Sequence, residues 1–264
     1  MSAPDLSAVA KTASKGDPAR FEAAMFAPED RREDLFALIA LNVELSRIPE
    51  TVSEPMLGEI RLQWWDDAIA ALFDGGPVAG HEVITALKQP MDEGRLIKSR
   101  LIDLIGARRI ILSDEPLNDA AILDRLITGT GGALAALQVA ALGGDQAAQE
   151  VADDAGWAEG AGRLIAALPS MMPDAEFQDG KAPPALMALV QSLASDGLSK
   201  LKHARARQCA IPKPCRAPLL SIRPSERRLK AMLQPGADIL RDDGAVSPFR
   251  ERVSLFRRAI TGQF

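Results

Sequence analysis

The chain has 264 residues, of which 47% are hydrophobic and 25% are charged. This mixture excludes an intrinsically disordered chain, which would contain fewer apolar residues, and a fibrous chain, which would have a biased composition. The 31 Lys and Arg residues against 36 Asp and Glu residues give a net charge of −5, so we predict no nucleic-acid binding. The length suits one large domain. We predict a flexible N-terminus over residues 1–16 and a single domain over residues 17–264.

Cysteine and histidine are too sparse and too irregularly spaced to form a disulfide framework or a metal site. Cys209 and Cys215 are the two cysteines, His81 and His203 are the two histidines, and no ligand spacing links them. Residues 1–15 have no signal-peptide core, and no run approaches the roughly 20 apolar residues that span a bilayer. We therefore expect a cytoplasmic protein without a metal, whose membrane contact is at most peripheral, at the inner face.

Apolar residues recur at helical spacing over most of the chain, and strand-like alternation is almost absent. The first clear series is Leu35, Leu38, Ile39, Leu45 and Ile48. Start and stop signals place one helix after Ala27–Asp30 and another from Ser53–Pro55 to Asp74–Pro77. We predict an all-α fold, with further helices over Glu93–Ile111, Asn118–Leu142, Gln146–Leu168, Pro184–Arg205 and Phe249–Ile260.

Glycine marks breaks within and between these helices. Gly129–Gly132 has the composition of a phosphate-binding loop, but no strand precedes it and no Lys-Ser or Lys-Thr pair follows it, so we interpret it as a break inside a helix. Gly143–Gly144 is typical of a turn, and residues 172–184 are typical of a loop. The small residues of Gly131–Ala136 and Gly160–Gly162 allow close helix packing or leave room for a ligand, and the sequence favours close packing.

The segment Phe21–Ile69 resembles the N-terminal half of the squalene and phytoene synthase family. In that family a helix carries an Asp-Asp-x-x-Asp motif, whose positions here hold Ser46, Arg47, Ile48, Pro49 and Glu50. The second aspartate motif of the family best matches the stretch that begins with Gly156–Pro169, and its aspartate positions fall on Ala167 and Met171. The resemblance implies an isoprenoid-synthase-like helical bundle around a central cavity, with degenerate motif positions at Ser46, Arg47, Glu50, Ala167 and Met171.

The missing carboxylates bear on the chemistry of that family. Ionising an allylic diphosphate requires Mg²⁺, a hard cation that carboxylate oxygens hold. Glu50 is the one acid left in the first motif, and Arg47 would repel the metal. We therefore predict no catalytic residues, no metal site and no cofactor. In this respect the chain is similar to the family branch that includes the mitochondrial complex I assembly factor, a resemblance carried by Asn42–Leu45 and Ile60–Trp65.

Six residues are candidates to line the cavity that the resemblance implies: Asn42, Ser46, Glu50, Arg61, Trp65 and Arg163. Arg61 and Trp65 are spaced i, i+4 and share one helix face, which predicts a stacked pair. Asp66 and Asp67 are adjacent and therefore about 100° apart around a helix, so they do not form a metal clamp. We interpret Trp64 and Trp65 as mainly structural residues.

Three functions remain open at the level of the sequence. The first is a prenyl-synthase-like protein that has lost magnesium-dependent ionisation and binds an isoprenoid, a lipid or a partner during assembly of a membrane complex. The second is an active head-to-head prenyltransferase of isoprenoid biosynthesis, with Mg²⁺ held by Glu50 and other carboxylates. The third is a helical scaffold without a ligand. An active enzyme would bring Glu44 or Glu50 opposite Asp153, Asp154 or Glu159 across the cavity.

Overall fold

The computed structural model describes residues 6–113, 117–171, 181–241, 244 and 247–264, and these residues form helices and no β-strand. The predicted all-α fold is confirmed. In chain order the helices are α1 (Ala8–Gly16), α2 (Pro18–Ala24), α3 (Arg32–Thr51), α4 (Pro55–Phe73), α5 (Glu82–Asp92), α6 (Lys98–Leu112), α7 (Ala120–Ile127), α8 (Ala133–Ala141), α9 (Gln146–Met171), α10 (Pro184–Ala206), α11 (Arg223–Met232) and α12 (Pro248–Thr261).

The N-terminal residues belong to the folded domain. The Ser7 hydroxyl caps α1 by accepting a hydrogen bond from the Ala10 N–H, as residues at this position commonly do. Val9, Ala10 and Ala13 are buried in the core. The predicted flexible segment over residues 1–16 is therefore wrong for residues 8–16. Their apolar face consists mainly of alanine, which gives a weak periodic signal.

Two apolar clusters make up the interior. One packs α3 against α1, α4, α5 and α6, and the other packs α9 against α7, α10 and α11. Every residue of Leu35–Val43 in α3 is buried, as expected of a helix enclosed on all sides. Helix α8 joins the two clusters, because Leu134 and Leu137 belong to the first while Ala135 and Val139 belong to the second.

A π-helical segment, Thr128–Gly132, connects α7 to α8 and confirms the predicted break. Here the chain touches α9 backbone to backbone: a Cβ built on Gly131 would lie 2.5 Å from the Gly156 carbonyl oxygen. The small residues therefore serve close helix packing at this point. Thr130 and Gly131 also border the cavity between α3 and α9.

Several predicted elements differ from the observed ones in extent. The helix predicted from Glu93 begins only at Lys98, because Gly94 adopts a left-handed φ of 68° just after α5. Helix α5 itself was not expected, and Pro90 lies inside it. The loop predicted over residues 172–184 lies mostly outside the described residues.

The stretch Ala120–Ala141, which covers α7, the π segment and α8, is long and apolar enough to cross a membrane by length and composition. The expectation that no such run exists is therefore wrong. In this structure 56% of an apolar window of 18 residues within the stretch is buried inside the protein. Helix α8 also lies between the two core clusters. We interpret the stretch as core.

Glu226 of α11 holds the three C-terminal helices together. Its carboxylate lies 2.7 Å from Arg205 of α10, 2.8 Å from Lys230 and 3.5 Å from Arg258 of α12. Burial raises the pKa of Glu226, but hydrogen bonds from Arg205 and Lys230 outweigh burial and lower the pKa to about 2. Phe264, just after α12, is buried, and its carbonyl accepts a hydrogen bond from Arg205 Nε at 2.7 Å.

Candidate functional site

A cavity of about 240 Å³, termed the central cavity, lies between α3 and α9 and is bordered by the α1–α2 junction, α6 and the π segment. The polar part of its wall consists of Asp17, Arg20, Asn42, Ser46, Arg108, Thr130 and Arg163. The apolar part includes Ile111, Leu126, Leu164, Ala167 and Met171. A wall of this kind suits a molecule with a polar end and an apolar remainder.

Two acids and two arginines form an ion-pair network at this wall, and all of them except Arg163 are buried. The Arg20 guanidinium lies 3.0 Å from Asp17 and 3.2 Å from Glu159 of α9. Arg163, one turn after Glu159, lies 3.0 Å from both acids. Burial raises the pKa of Asp17, but the two arginines outweigh burial and lower it. The protein's own cations therefore neutralise both carboxylates.

Arg108 of α6 adds a positive charge to the cavity. Its Nη2 donates a hydrogen bond to Asn42 Oδ1 at 2.7 Å, but this amide is neutral. Its Nε is buried without a hydrogen-bond partner, and no ion pair involving Arg108 is found among the described residues. Burial and the charge of Arg20 lower the pKa of Arg108 to about 10. The side chain is therefore still charged at neutral pH.

The structure brings three degenerate motif positions together. Ser46 of α3 borders the central cavity, as do Ala167 and Met171 of α9, and the candidates Asn42 and Arg163 border it as well. The two motif helices therefore face each other across this space. A serine, an alanine and a methionine occupy the wall where the family resemblance places aspartates.

Arg47 and Glu50 do not border the central cavity. Both side chains are exposed in the last two turns of α3, which ends at Thr51. The prediction that Glu50 lines the cavity is wrong, because the helix has reached the surface of the protein at this residue. The first motif therefore contributes no carboxylate to the cavity.

The residues around the central cavity do not fit the magnesium sites of the family. Mg²⁺ requires an octahedral set of oxygen ligands, whereas Asp17 and Glu159 are already bound to Arg20 and Arg163. Among the residues that the structure describes, no group of three or more His, Cys, Asp or Glu could hold a metal ion. The charge of Arg108 would repel a dication. The wall is therefore better suited to an anion.

The other acids considered for a metal site lie elsewhere. Asp153 is 2.7 Å from Arg100, and Asp154 is 3.2 Å from Lys200 and 3.0 Å from the His203 ring, both on α10. Asp153 and Asp154 border a separate surface cavity. Burial raises the pKa of Asp153, and Arg100 offsets this rise only in part. Neither acid borders the central cavity opposite Glu44 or Glu50.

A second space of about 490 Å³, termed the Trp groove, is lined by Glu44, Arg47, Ile48, Thr51, Arg61, Trp64, Trp65 and His81. The candidates Arg61 and Trp65 lie here and not in the central cavity. Trp65 is 5% exposed, whereas Trp64 is 42% exposed, so a structural role fits Trp65 better. The predicted Arg61–Trp65 stack is replaced by a hydrogen bond from Arg61 to the Thr51 hydroxyl at 2.7 Å. The His81 ring lies 4.9 Å from Trp65.

Asp17, Arg20 and Arg108 were not predicted from the sequence as residues of the site. A signal existed for Asp17, because an acid followed by Pro18 is typical of a helix N-cap with proline at the first helical position. Arg108 has no such signal, since nothing in the sequence distinguishes it from Arg109. The two differ in tertiary contacts: Arg109 is partly exposed and forms ion pairs with two acids of α4.

Comparison with known proteins identifies the family. Residues 13–169, more than half of the chain, match the squalene/phytoene synthase family. The chain is 28% identical over 156 residues to the Bos taurus protein named NADH dehydrogenase (ubiquinone) complex I, assembly factor 6, and 27% identical over 156 residues to the Homo sapiens protein of that name. Each match covers 59% of this chain and 46% of the relative, so the chain matches less than half the length of these curated relatives.

Among solved structures, a dehydrosqualene synthase in complex with a ligand aligns with a TM-score of 0.75 over 96% of this chain and 94% of that chain, at 13% identity. At this identity the similarity shows the fold alone, and it confirms the predicted isoprenoid-synthase-like bundle. The family match includes α3 and nearly all of α9, the two helices that face each other across the central cavity. The chain belongs to the squalene/phytoene synthase family.

Proposed function

We propose that this protein is a binding member of its family that does not carry out magnesium-dependent prenyl transfer. The observation that supports this most is the composition of the central cavity, where Ser46, Ala167 and Met171 hold the motif positions. The nearby acids, Asp17 and Glu159, are engaged by arginines. The wall therefore offers arginine side chains where the reaction needs metal ions to neutralise a departing diphosphate.

The ligand class that we propose is an isoprenoid or another lipid with a small anionic headgroup. Arg108 supports this assignment, because its Nε–H has no hydrogen-bond partner among the described residues and guanidinium groups recognise phosphate and carboxylate oxygens with paired hydrogen bonds. Ser46 and Thr130 bring hydroxyl groups to the same wall, and Ile111 and Leu126 bring apolar surface. The headgroup would lie at Arg108 and the chain against the apolar wall.

We further propose that binding serves the assembly of a membrane complex, at the inner face of the membrane. The support is that the relatives are named complex I assembly factor 6 and that each match covers 59% of this chain. An assembly role requires recognition of a lipid or a partner protein and does not require turnover. Deleting the gene in its host should lower the amount of assembled NADH dehydrogenase on native gels. A normal amount would contradict this role.

Turnover can be tested by incubating the purified protein with farnesyl and geranylgeranyl diphosphate and Mg²⁺ and measuring pyrophosphate. We expect no release above a control without protein. Magnesium-dependent turnover would overturn the proposal and establish an active prenyltransferase.

Headgroup binding can be tested by titrating farnesyl monophosphate into the protein in the presence of EDTA. Loss of a hydrogen bond to a charged group corresponds to about 1.5–3 kcal/mol, so Arg108→Gln should weaken binding about ten-fold or more. Arg109→Gln, one residue further along α6, is the matched control and should leave binding unchanged. Equal affinities for the two variants would contradict the headgroup assignment.

Rebuilding the metal site tests the geometry of the cavity. Changing Ser46, Ala167 and Met171 together to Asp places three carboxylates around one cavity, more than Arg108 can neutralise. Clustered like charges should lower the Tm, and Mg²⁺ should restore it, because an ion that binds the native state stabilises it by mass action. Wild type and Ser46→Asp alone should not respond to Mg²⁺. A triple variant whose Tm does not change on addition of Mg²⁺ would show that the three positions do not converge.

A further inference from the structure

An exposed apolar strip lies where the end of α2 meets α12. Val253, Phe256 and Ile260 of α12 are 51%, 60% and 72% exposed, and Met25 and Phe26 are 43% and 40% exposed. The Phe26 and Phe256 rings lie 6.4 Å apart, so the strip is continuous from one element to the other. These five residues are termed the α2–α12 surface. Contiguous exposed apolar residues mark an interaction site more often than scattered ones do.

Arginines border this surface on both sides. At about 100° per residue, the three apolar residues of α12 fall within about 60° of one another, with Arg250 and Arg257 on one flank and Arg252 on the other. All three arginines are exposed. Arg252 lies 3.2 Å from Glu22, whereas no ion pair of Arg250 or Arg257 is found in the described part of the chain. The border of this surface along α12 is therefore cationic, although the whole chain carries a net charge of −5.

The opposite face of α12 attaches the helix to the rest of the protein. Glu251 forms an ion pair with Arg227 of α11, and Arg258 lies 3.5 Å from Glu226. Phe264 is buried just beyond the helix end. The apolar strip is thus not the face through which α12 packs, and it points outward while the helix stays attached.

We propose that the α2–α12 surface docks on an anionic phospholipid bilayer, with α12 lying in the plane of the interface. A helix with aromatic and aliphatic residues on one stripe and arginines along its edges has the pattern of an interfacial helix. The arginines complement the charge of anionic headgroups. Pairing with a second copy through the same face would bring these arginines together, which like-charge repulsion opposes.

A second exposed apolar strip, on α4, lacks this charge pattern and provides a control. Met56, Leu57 and Ile60 are 71%, 46% and 60% exposed, but charges of both signs lie beside them, namely Glu54, Glu59 and the exposed Arg61. Glu59 is paired with Arg109 and Glu54 offsets Arg61, so this strip has no net cationic border for an anionic membrane. Apolar exposure alone therefore does not identify the side that faces the membrane. The arginines of α12 identify it.

The test is co-sedimentation of the full chain with vesicles of phosphatidylcholine alone or of phosphatidylcholine and phosphatidylglycerol in equal parts. We expect binding to the mixed vesicles, little binding to the neutral ones and weaker binding at high salt. Arg257→Gln should lower the partition coefficient about five-fold, which corresponds to about 1 kcal/mol, and Ile260→Gln should lower it as well. Lys202→Gln on α10 and Ile60→Gln on α4 are the matched controls and should bind like wild type.

Absence of binding to the mixed vesicles, or equal binding to both kinds, would overturn the proposal. Equal losses in the surface variants and the controls would overturn the choice of surface. If Ile260→Gln instead converts a dimer to a monomer in sedimentation velocity, without any vesicle binding, the surface is an interface between copies and the membrane proposal is wrong. The α2–α12 surface shares no residue with the wall of the central cavity. If vesicle binding fails, the proposed ligand site is unaffected, and if ligand binding fails, the proposed membrane surface is unaffected.

Discussion

Gly156→Ala should destabilise the fold, because α9 and the π segment touch backbone to backbone at this residue. A Cβ at Gly156 would lie 2.4 Å from the Gly131 carbonyl oxygen and 2.4 Å from the Ala135 Cβ. Ordinary contacts of a Cβ begin at 3.4 Å, so the two segments would have to separate by about 1 Å in a close-packed interior. Neither contacting atom is the end of a flexible side chain that could turn away.

Overpacking of this kind costs about 1–3 kcal/mol, while the better helix propensity of alanine returns about 0.5–1 kcal/mol. We expect a net loss of about 1–2 kcal/mol, which lowers the Tm of a protein of this size by about 2–8 °C. Gly106→Ala in the middle of α6 is the matched control, because its Cβ would meet nothing within 4 Å. It should stabilise the protein by about 0.5–1 kcal/mol.

Urea unfolding followed by far-ultraviolet circular dichroism measures both variants. The midpoint should fall for Gly156→Ala and rise for Gly106→Ala, with the denaturant slope unchanged, because neither change alters the surface exposed on unfolding. A Gly156→Ala variant as stable as wild type would refute the backbone contact between α9 and the π segment. A loss of similar size in Gly106→Ala would show that the effect is not specific to this contact.

Three further predictions concern buried side chains. The pKa of Glu226 is lowered to about 2, so its carboxylate contributes stability above its ordinary pKa of about 4.5, and this stability is lost as the pH falls towards 2. Glu226→Gln should therefore be less stable than wild type at neutral pH by about 3–5 kcal/mol. The variant should also lose less stability than wild type between pH 4.5 and pH 2. Trp65→Ala should cost about 3–5 kcal/mol and Trp64→Ala clearly less, and equal urea midpoints would contradict the difference in burial. Burial raises the pKa of Cys215, so a thiol reagent at neutral pH should label the exposed Cys209 first, and equal labelling rates would contradict this.

The fold could be predicted from the sequence because helix periodicity is a local property. The apolar series Leu35, Leu38 and Ile39 of α3 and the helix start at Gln146 were predicted from the order of residues alone. The helices that were not predicted from the sequence also have local causes. Helix α1 presents alanines to the core, and α5 contains Pro90, so both give weak signals although tertiary packing stabilises them.

The candidate site could be predicted only where a motif fixed the spacing. Ser46 and Ala167 were placed in one site through the family resemblance, and both border the central cavity. The contact of Arg163 with Asp17 spans 146 residues, and no local pattern encodes it. Arg61 was wrongly placed in the cavity, because a helical period shows which residues share a face but not what that face contacts.

The arginines of the cavity wall also determine what a single substitution there would do. Ser46→Asp alone would face the positive charge of Arg108, and the new carboxylate would be satisfied by arginine without recruiting Mg²⁺. Substitutions at Ala167 and Met171 would each add one acid without completing an octahedral site. No single substitution would therefore complete a metal site. Carboxylates would be needed at several of these positions together, even though the surrounding fold is the one that the family shares.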